Sequence, residues 1–177
     1  MDLLHSLLKR GLILMACFNL MSCSSLPPVK TVQEVDLPRF MGDWYVIACI
    51  PTAIEKNIYN AVESYKIKSP NVIATTFTFN KGSPSGPKKT YHPTGYVQPN
   101  TGNAVWGMQF VWPIKAEYKI AYIDNDYKIT IIARDKRDYV WLMSRQSKMD
   151  EETYQNMLRF IEDIGYDTKN IVKISHD

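Results

Sequence analysis

Cysteine is scarce in this sequence: three residues in 177, at positions 17, 23 and 49. With Cys17 and Cys23 both in the N-terminal segment, no disulfide framework can hold the rest together, so the fold has to rest on its core. Histidine is equally scarce. His5 and His176 lie at the two ends of the chain, and His92, next to Pro93, has no second imidazole at ligand spacing, which excludes the paired-histidine zinc motifs. A surplus of one charge is missing as well. The 21 basic and 18 acidic residues leave a net charge of +3 and are intermingled, so no basic stripe points to nucleic acid, and Lys88-Lys89 reads as a solvated turn. Finally, 177 residues suit one domain with a sizeable core better than two.

What is present begins with an asymmetric N-terminus. Lys9 and Arg10 precede the apolar run GLILMACFNLM, the charged-then-apolar order of a secretory signal, and the run is short for a membrane span. It ends in Leu20-Met21-Ser22-Cys23, which resembles the bacterial lipobox; that resemblance implies cleavage after Ser22 and acylation of Cys23. Leu14-Met15-Ala16-Cys17 fits more loosely and would leave only a short apolar segment, and an uncleaved anchor is the other alternative. Ser24, in place of Asp, is the residue that in such lipoproteins permits sorting to the outer membrane. The expected organisation is a signal peptide at 1–22, a lipidated, proline-bearing tether at 23–38 and a domain at 39–177. Acyl chains on Cys23 would make the attachment to the membrane effectively permanent.

Beyond Pro38 the pattern is dominated by alternation, the mark of strands with one buried face. Strands are expected at 44–50, 59–67, 72–79, 90–98, 104–112, 117–123, 127–134 and 139–145, separated by turn clusters such as Asn80-Lys81-Gly82, Pro99-Asn100-Thr101-Gly102 and Asp124-Asn125-Asp126. Many short antiparallel strands hide their edges most completely by closing, so the expected fold is all-β, an eight-stranded antiparallel up-and-down barrel. One helix follows. Asp150 can cap it, Met149 and Tyr154 can form a hydrophobic staple, and Gly165 can end it; Tyr154, Met157, Leu158, Ile161 and Ile164 form the stripe that packs on the outside of the barrel. Residues 171–174 can add a last strand.

Three motifs carry a family resemblance. Gly42-Asp43-Trp44-Tyr45 matches the Gly-x-Trp-Tyr of the lipocalins, Asp124-Asn125-Asp126-Tyr127 resembles their second motif with Asn125 in place of the usual Thr, and Trp141-Leu142-Met143-Ser144-Arg145 resembles the third. With the lipobox, the chain resembles the outer-membrane bacterial lipocalins. The resemblance implies that Gly42, Trp44 and Arg145 close one end of the barrel, the guanidinium stacking on the indole.

If Trp44 and Arg145 point inward, parity assigns the interior. It comprises Val46, Ala48 and Ile50; Tyr65 and Ile67; Trp106, Met108 and Phe110; Tyr118, Ile120 and Tyr122; Tyr127, Ile129 and Ile131; and Tyr139, Trp141 and Met143. Lys119, Lys128, Arg134, Thr130, Leu142 and Cys49 fall on the other side. Such an interior, apolar with tyrosine hydroxyls, suits a long apolar ligand with a polar head, and the expected partner is a fatty acid or lysophospholipid. Glu63 shares the parity of Tyr65 and reads as a glutamate near the wet mouth, or else as a head-group anchor.

No catalytic constellation accompanies this. Gly82-Ser83-Pro84-Ser85-Gly86 has Pro84 where a nucleophile would stand, and Asp124-Asn125-Asp126 is followed by Lys128 and Ile129 where a calcium loop needs a ligand and a glycine. No catalytic residue, metal or cofactor is expected. The expected function is lipid storage, transport or membrane maintenance on the periplasmic face of the outer membrane. A scaffold with a filled barrel and an enzyme of lipid metabolism using Cys49 or an interior tyrosine remain alternatives, and pairing into a homodimer is left open.

Overall fold

The computed structural model describes residues 26–177; the signal segment and Cys23 lie outside them. A short helix α1 (Leu37–Phe40) leads into β1 (Gly42–Ile50), followed by β2 (Ile58–Ser69), β3 (Val72–Lys81), β4 (Lys88–Tyr91), β5 (Thr94–Val97), β6 (Val105–Val111), β7 (Ile114–Ile123), β8 (Ile129–Ala133) and β9 (Val140–Ser144). Every pairing among them is antiparallel, and β9 pairs back onto β1, so the sheet closes. With β4 and β5 as two parts of one staggered position, this is a closed eight-stranded barrel. Helix α2 (Glu151–Asp163) lies outside it, and β10 (Val172–Lys173) adds to β1 at Ala48 and Cys49. The chain from Leu26 onward thus contains every strand of the barrel and both of the apolar clusters described below.

The expected strand at 90–98 is interrupted at His92-Pro93, where Pro93 has no N–H for the ladder; β4 and β5 both pair with β3 but at different places. The helix ends as its residues dictate. Asp150 Oδ1 accepts from Thr153 N at 2.8 Å, and at the other end Gly165, with φ +97°, donates to Glu162 O at 2.8 Å.

Part of the expected tether is docked. From Leu26 to Val35 the chain runs along the barrel wall, with Val29 N on Asp135 Oδ1 at 2.7 Å, Val32 N on Ile120 O at 3.1 Å and Val35 N on Gly102 O at 2.8 Å, and both Val29 and Val35 are buried. At that last crossing a Cβ on Gly102 would stand 1.8 Å from Gln33 O, so only glycine allows the approach.

Two apolar clusters divide the molecule. One lies inside the barrel and includes Phe40, Trp44, Val46, Cys49, Tyr65, Phe77, Trp106, Met108, Tyr118, Ile120, Ile132 and Met143. The other lies between the barrel wall and α2, where Ile47, Ala48, Ile131, Val140 and Leu142 meet Tyr154 and Ile161.

Candidate ligand cavity

One end of the barrel is shut by a few contacts around β1. Trp44 is buried and donates its Nε1–H to Phe40 O at 2.8 Å, while the Arg145 guanidinium lies 3.8 Å over the Trp44 ring. The same guanidinium donates to Asp43 O at 2.7 Å, Arg39 O at 2.8 Å, Met41 O at 2.8 Å and Phe40 O at 3.1 Å. Three of these carbonyls belong to the end of α1, so Arg145 serves as a side-chain cap for a helix that crosses the barrel floor. Gly42, at φ +91°, allows the turn from that helix into β1, and a Cβ there would lie 3.4 Å from Arg145 Nη1. Above this plug Phe40, Tyr65, Trp106 and Tyr118 pack ring against ring, with Trp106 stacked on Tyr118 at 5.0 Å and Tyr65 edge-on to Trp106 at 5.7 Å.

The other end is open. A cavity of about 480 Å³ enters between the 3-10 turn Ala53–Glu55, the β6–β7 hairpin and the β8–β9 loop; its walls include Phe77, Met108, Phe110 and Trp141, and toward the closed end it is lined by Glu63, the strand partner of Trp44, and Tyr118, the strand partner of Trp106. That volume is within the range of small-molecule sites. A second depression, about 490 Å³, is a surface hollow at the closed end bounded by Asp36, Ile67, Asn71 and Asn103, outside the barrel.

A Lipocalin-like domain model matches residues 35–176. The chain is a lipocalin. Curated relatives include temperature-induced lipocalin-1 of Arabidopsis thaliana, 27% identical over 82% of this chain and 81% of the relative. Another is the outer membrane lipoprotein Blc of Escherichia coli K12, 26% identical over 89% of this chain and 90% of the relative. Among solved structures, insecticyanin of the tobacco hornworm Manduca sexta superposes with a TM-score of 0.66 at 16% identity, covering 85% of this chain and 91% of that one. Lipocalins generally carry small hydrophobic ligands.

The expected interior of this lipocalin divides in three. Met108, Phe110, Tyr118, Tyr139 and Trp141 line the cavity. Val46, Tyr65, Trp106, Ile120 and Met143 lie inside the barrel but in the packed layer away from the opening. Ala48, Tyr122, Ile129 and Ile131, like Ile50, face the helix, with Tyr122 against Phe160 at 5.3 Å. Each reversal has a local cause. In β1 the register with β9 shifts between Val46 and Ala48, which turns Cys49 inward and Ala48 outward; in β7 it shifts between Ile120 and Tyr122. In β8 the parity was counted from Tyr127, which sits in a turn at φ +58°; the true partners of inward Met143 and Trp141 are Thr130 and Ile132. Thr130 is accordingly buried, its hydroxyl on Tyr122 O at 2.8 Å, and Ile67 is exposed. The cavity residues that parity from the motifs did not reach include Ile54 and Glu55 of the turn, Thr75 and Phe77 of β3, Tyr91 and Ala116; Arg134, expected outside the barrel, lines the cavity because it comes just after the end of β8, where strand alternation no longer applies. Of these, the β3 pair was visible in the alternation of Val72–Lys81.

Cys49 lies inside and is buried, its thiol pushed far up by desolvation and by the charges of Glu55 and Glu63, so it stays protonated and is a poor nucleophile. Among the described residues no cluster of His, Cys, Asp and Glu could hold a metal; Asp124 instead accepts from Lys128 N and Ile129 N at 2.6 and 2.7 Å, bracing the β7–β8 turn.

Glu63 is not at the mouth. Only 9% exposed, it accepts from the Tyr65 hydroxyl, which in turn lies 2.7 Å from that of Tyr118. Desolvation pushes its carboxyl up to about 7, with the Glu55 charge adding and the Tyr65 bond opposing. Because the folded state holds this proton more tightly than the unfolded chain does, the contribution of Glu63 to stability is fully present below about pH 4.5 and is lost as pH rises through 7. The whole span is worth about 3 kcal/mol. Urea midpoints measured from pH 5 to pH 8 should fall for wild type and stay nearly flat for Glu63→Gln; parallel profiles would contradict the assignment.

Proposed function

We propose that this lipocalin is a lipid-anchored protein of the periplasmic face of the outer membrane, attached through Cys23, that holds an acyl-chain ligand, a fatty acid or lysophospholipid, in its barrel for lipid storage, transport or membrane maintenance. The observation that carries the reading is the apolar cavity, open at one end and sealed by Trp44 and Arg145 at the other. The relatives named outer membrane lipoprotein support the location.

Two features of the fold favour a membrane-facing mouth. The β6–β7 hairpin exposes Phe110, Val111, Trp112 and Ile114, and Phe110 and Val111 also line the cavity. The chain begins its course along the barrel at the same end, where Arg137 of the β8–β9 loop donates to Pro27 O at 2.6 Å. Cys23 is three residues before Leu26, a reach of at most about 11 Å. An acylated Cys23 would therefore bring the apolar hairpin and the opening toward the bilayer, the geometry that ligand exchange with a membrane requires.

The direct test is mass spectrometry of lipids extracted from the purified chain beginning at Leu26. Stoichiometric acyl lipid supports the reading, whereas a barrel that is empty and takes up no fatty acid contradicts it. For the anchor, Cys23→Ala is expected to abolish incorporation of radiolabelled palmitate and release the protein from membranes. Label retained by this variant would move the assignment to Cys17.

A further inference from the structure

The charged groups of the cavity are unevenly distributed. Glu55 and Glu63 are both buried, and neither has a cation within salt-bridge distance among the described residues. Glu55 is held by the Trp141 indole N–H at 2.7 Å and by Thr52 N at 2.8 Å, and Glu63 by the Tyr65 hydroxyl, all neutral donors. At the rim, Glu117 accepts from Asp135 N at 2.6 Å and lies 3.6 Å from Lys119. Among the described residues Arg134 is the only cationic side chain lining the cavity, and it stands at the rim where β8 leads into the β8–β9 loop, 3.3 Å from Asp138 and over the Tyr139 ring, with its buried Nε left without a partner. The deep part of the cavity, at Glu63, is therefore an acidic floor under apolar walls, with Glu55 above it in the turn over the mouth.

We propose that this floor is a subsite for a positively charged nitrogen, and that the lipocalin prefers apolar-chain ligands ending in an ammonium group to those ending in a carboxylate. This rests on the reading of the barrel as a ligand cavity and names the ligand class within it. A carboxylate carried to the floor would be set against the ionised Glu63, desolvated and with no cation beside it there. An ammonium there meets the Glu63 carboxylate and has Phe77, Tyr118 and Trp141 around it, whose π surfaces attract a cation more strongly where water is excluded. A fatty acid is left with the opposite orientation, tail inward and carboxylate at the rim.

The groups facing Glu63 are Cys49 from β1, Glu55 from the 3-10 turn, Tyr65 on its own strand and Tyr118 from β7. Burial and the neighbouring Glu63 raise both tyrosine hydroxyls well above their ordinary range, and the Cys49 thiol is raised too, so these three stay neutral where Glu63 changes charge, near neutral pH. Ammonium binding requires its ionised form and displaces its proton.

The experiment compares dodecylamine, dodecan-1-ol and dodecanoate, below their aggregation limits, by calorimetric titration of the chain from Leu26 between pH 6 and pH 8, where the amine stays cationic and the acid anionic. The amine should bind at least tenfold more tightly than the acid at pH 8, and its affinity should rise roughly tenfold from pH 6 to pH 8 as Glu63 ionises. In Glu63→Gln the pH dependence should vanish and the ratio of amine to alcohol affinity fall toward one. The wild-type comparison stands by itself if that variant folds poorly. Equal or tighter binding of dodecanoate, or an amine preference that survives Glu63→Gln, overturns the ammonium subsite while leaving the cavity reading intact. Failure of all three chains to bind overturns both.

Discussion

Arg145→Ala is expected to destabilise the barrel by about 3 kcal/mol while leaving the affinity for an apolar ligand nearly unchanged. The side chain is tied to the carbonyls of Arg39, Phe40, Met41 and Asp43 and covers the Trp44 ring. Alanine removes every one of these contacts. Each lost charge-assisted bond is worth about 1 kcal/mol or more, but the freed carbonyls lie near the surface and regain water, so the sum is well below the total of the individual bonds. The loss of the cation over the indole adds about 1 kcal/mol. Arg145→Lys should recover only a minor part, since a single ammonium cannot reproduce a planar fork that reaches five carbonyls, that of Tyr127 included. The measurement is the urea midpoint, with ligand displacement as the second readout. A midpoint equal to that of wild type would show that the closed end does not depend on this plug.

The contacts of Arg145 also illustrate what could be read in advance. The strand order, the single helix and its caps were legible because turn residues punctuate the chain regularly and because alternation is plain wherever one face of a strand is polar. In β3, Val72–Lys81, buried Ile73, Thr75, Phe77 and Phe79 alternate with less buried neighbours, and no parity other than the observed one buries them. The three motifs located the closed end, since Trp44 and Arg145 sit at fixed points relative to turns.

The faces of β1, β7 and β8 were not legible for a physical reason. These strands are apolar on both sides, one toward the interior and the other toward α2: in β1 Val46, Ile47, Ala48 and Cys49 are all buried, and in β8 so are Ile131 and Ile132. Alternation then carries no sign. A one-residue bulge, which costs no change of composition, inverts everything beyond it. This is how Cys49 came to face inward and Ala48 outward; in β8 Ile132 faces inward and Ile131 outward because Tyr127 belongs to the preceding turn and not to the strand. The depth of Glu63 was illegible for a different reason, because it depends on the 3-10 turn Ala53–Glu55 folding over the mouth, and a turn between strands leaves no periodicity to count.

Those faces decide where the cavity can be blocked. Ala116, on β7 opposite Met108, is a small residue lining the opening, so Ala116→Trp would place an indole across the route to the floor. This variant is expected to keep its far-ultraviolet circular dichroism and to weaken displacement of a fluorescent fatty acid by at least tenfold, because the added ring enters empty space and not a packed layer. Two comparisons make the result specific. Lys66→Trp, on the exposed side of β2, should bind like wild type. Ile131→Trp should do the reverse of Ala116→Trp in stability: Ile131 is fully buried between the wall and α2, and overpacking there is expected to cost about 1–3 kcal/mol by forcing the helix away. If Ala116→Trp binds the probe as wild type does, the ligand does not occupy the barrel. If Lys66→Trp loses binding together with it, the site is on the outer surface.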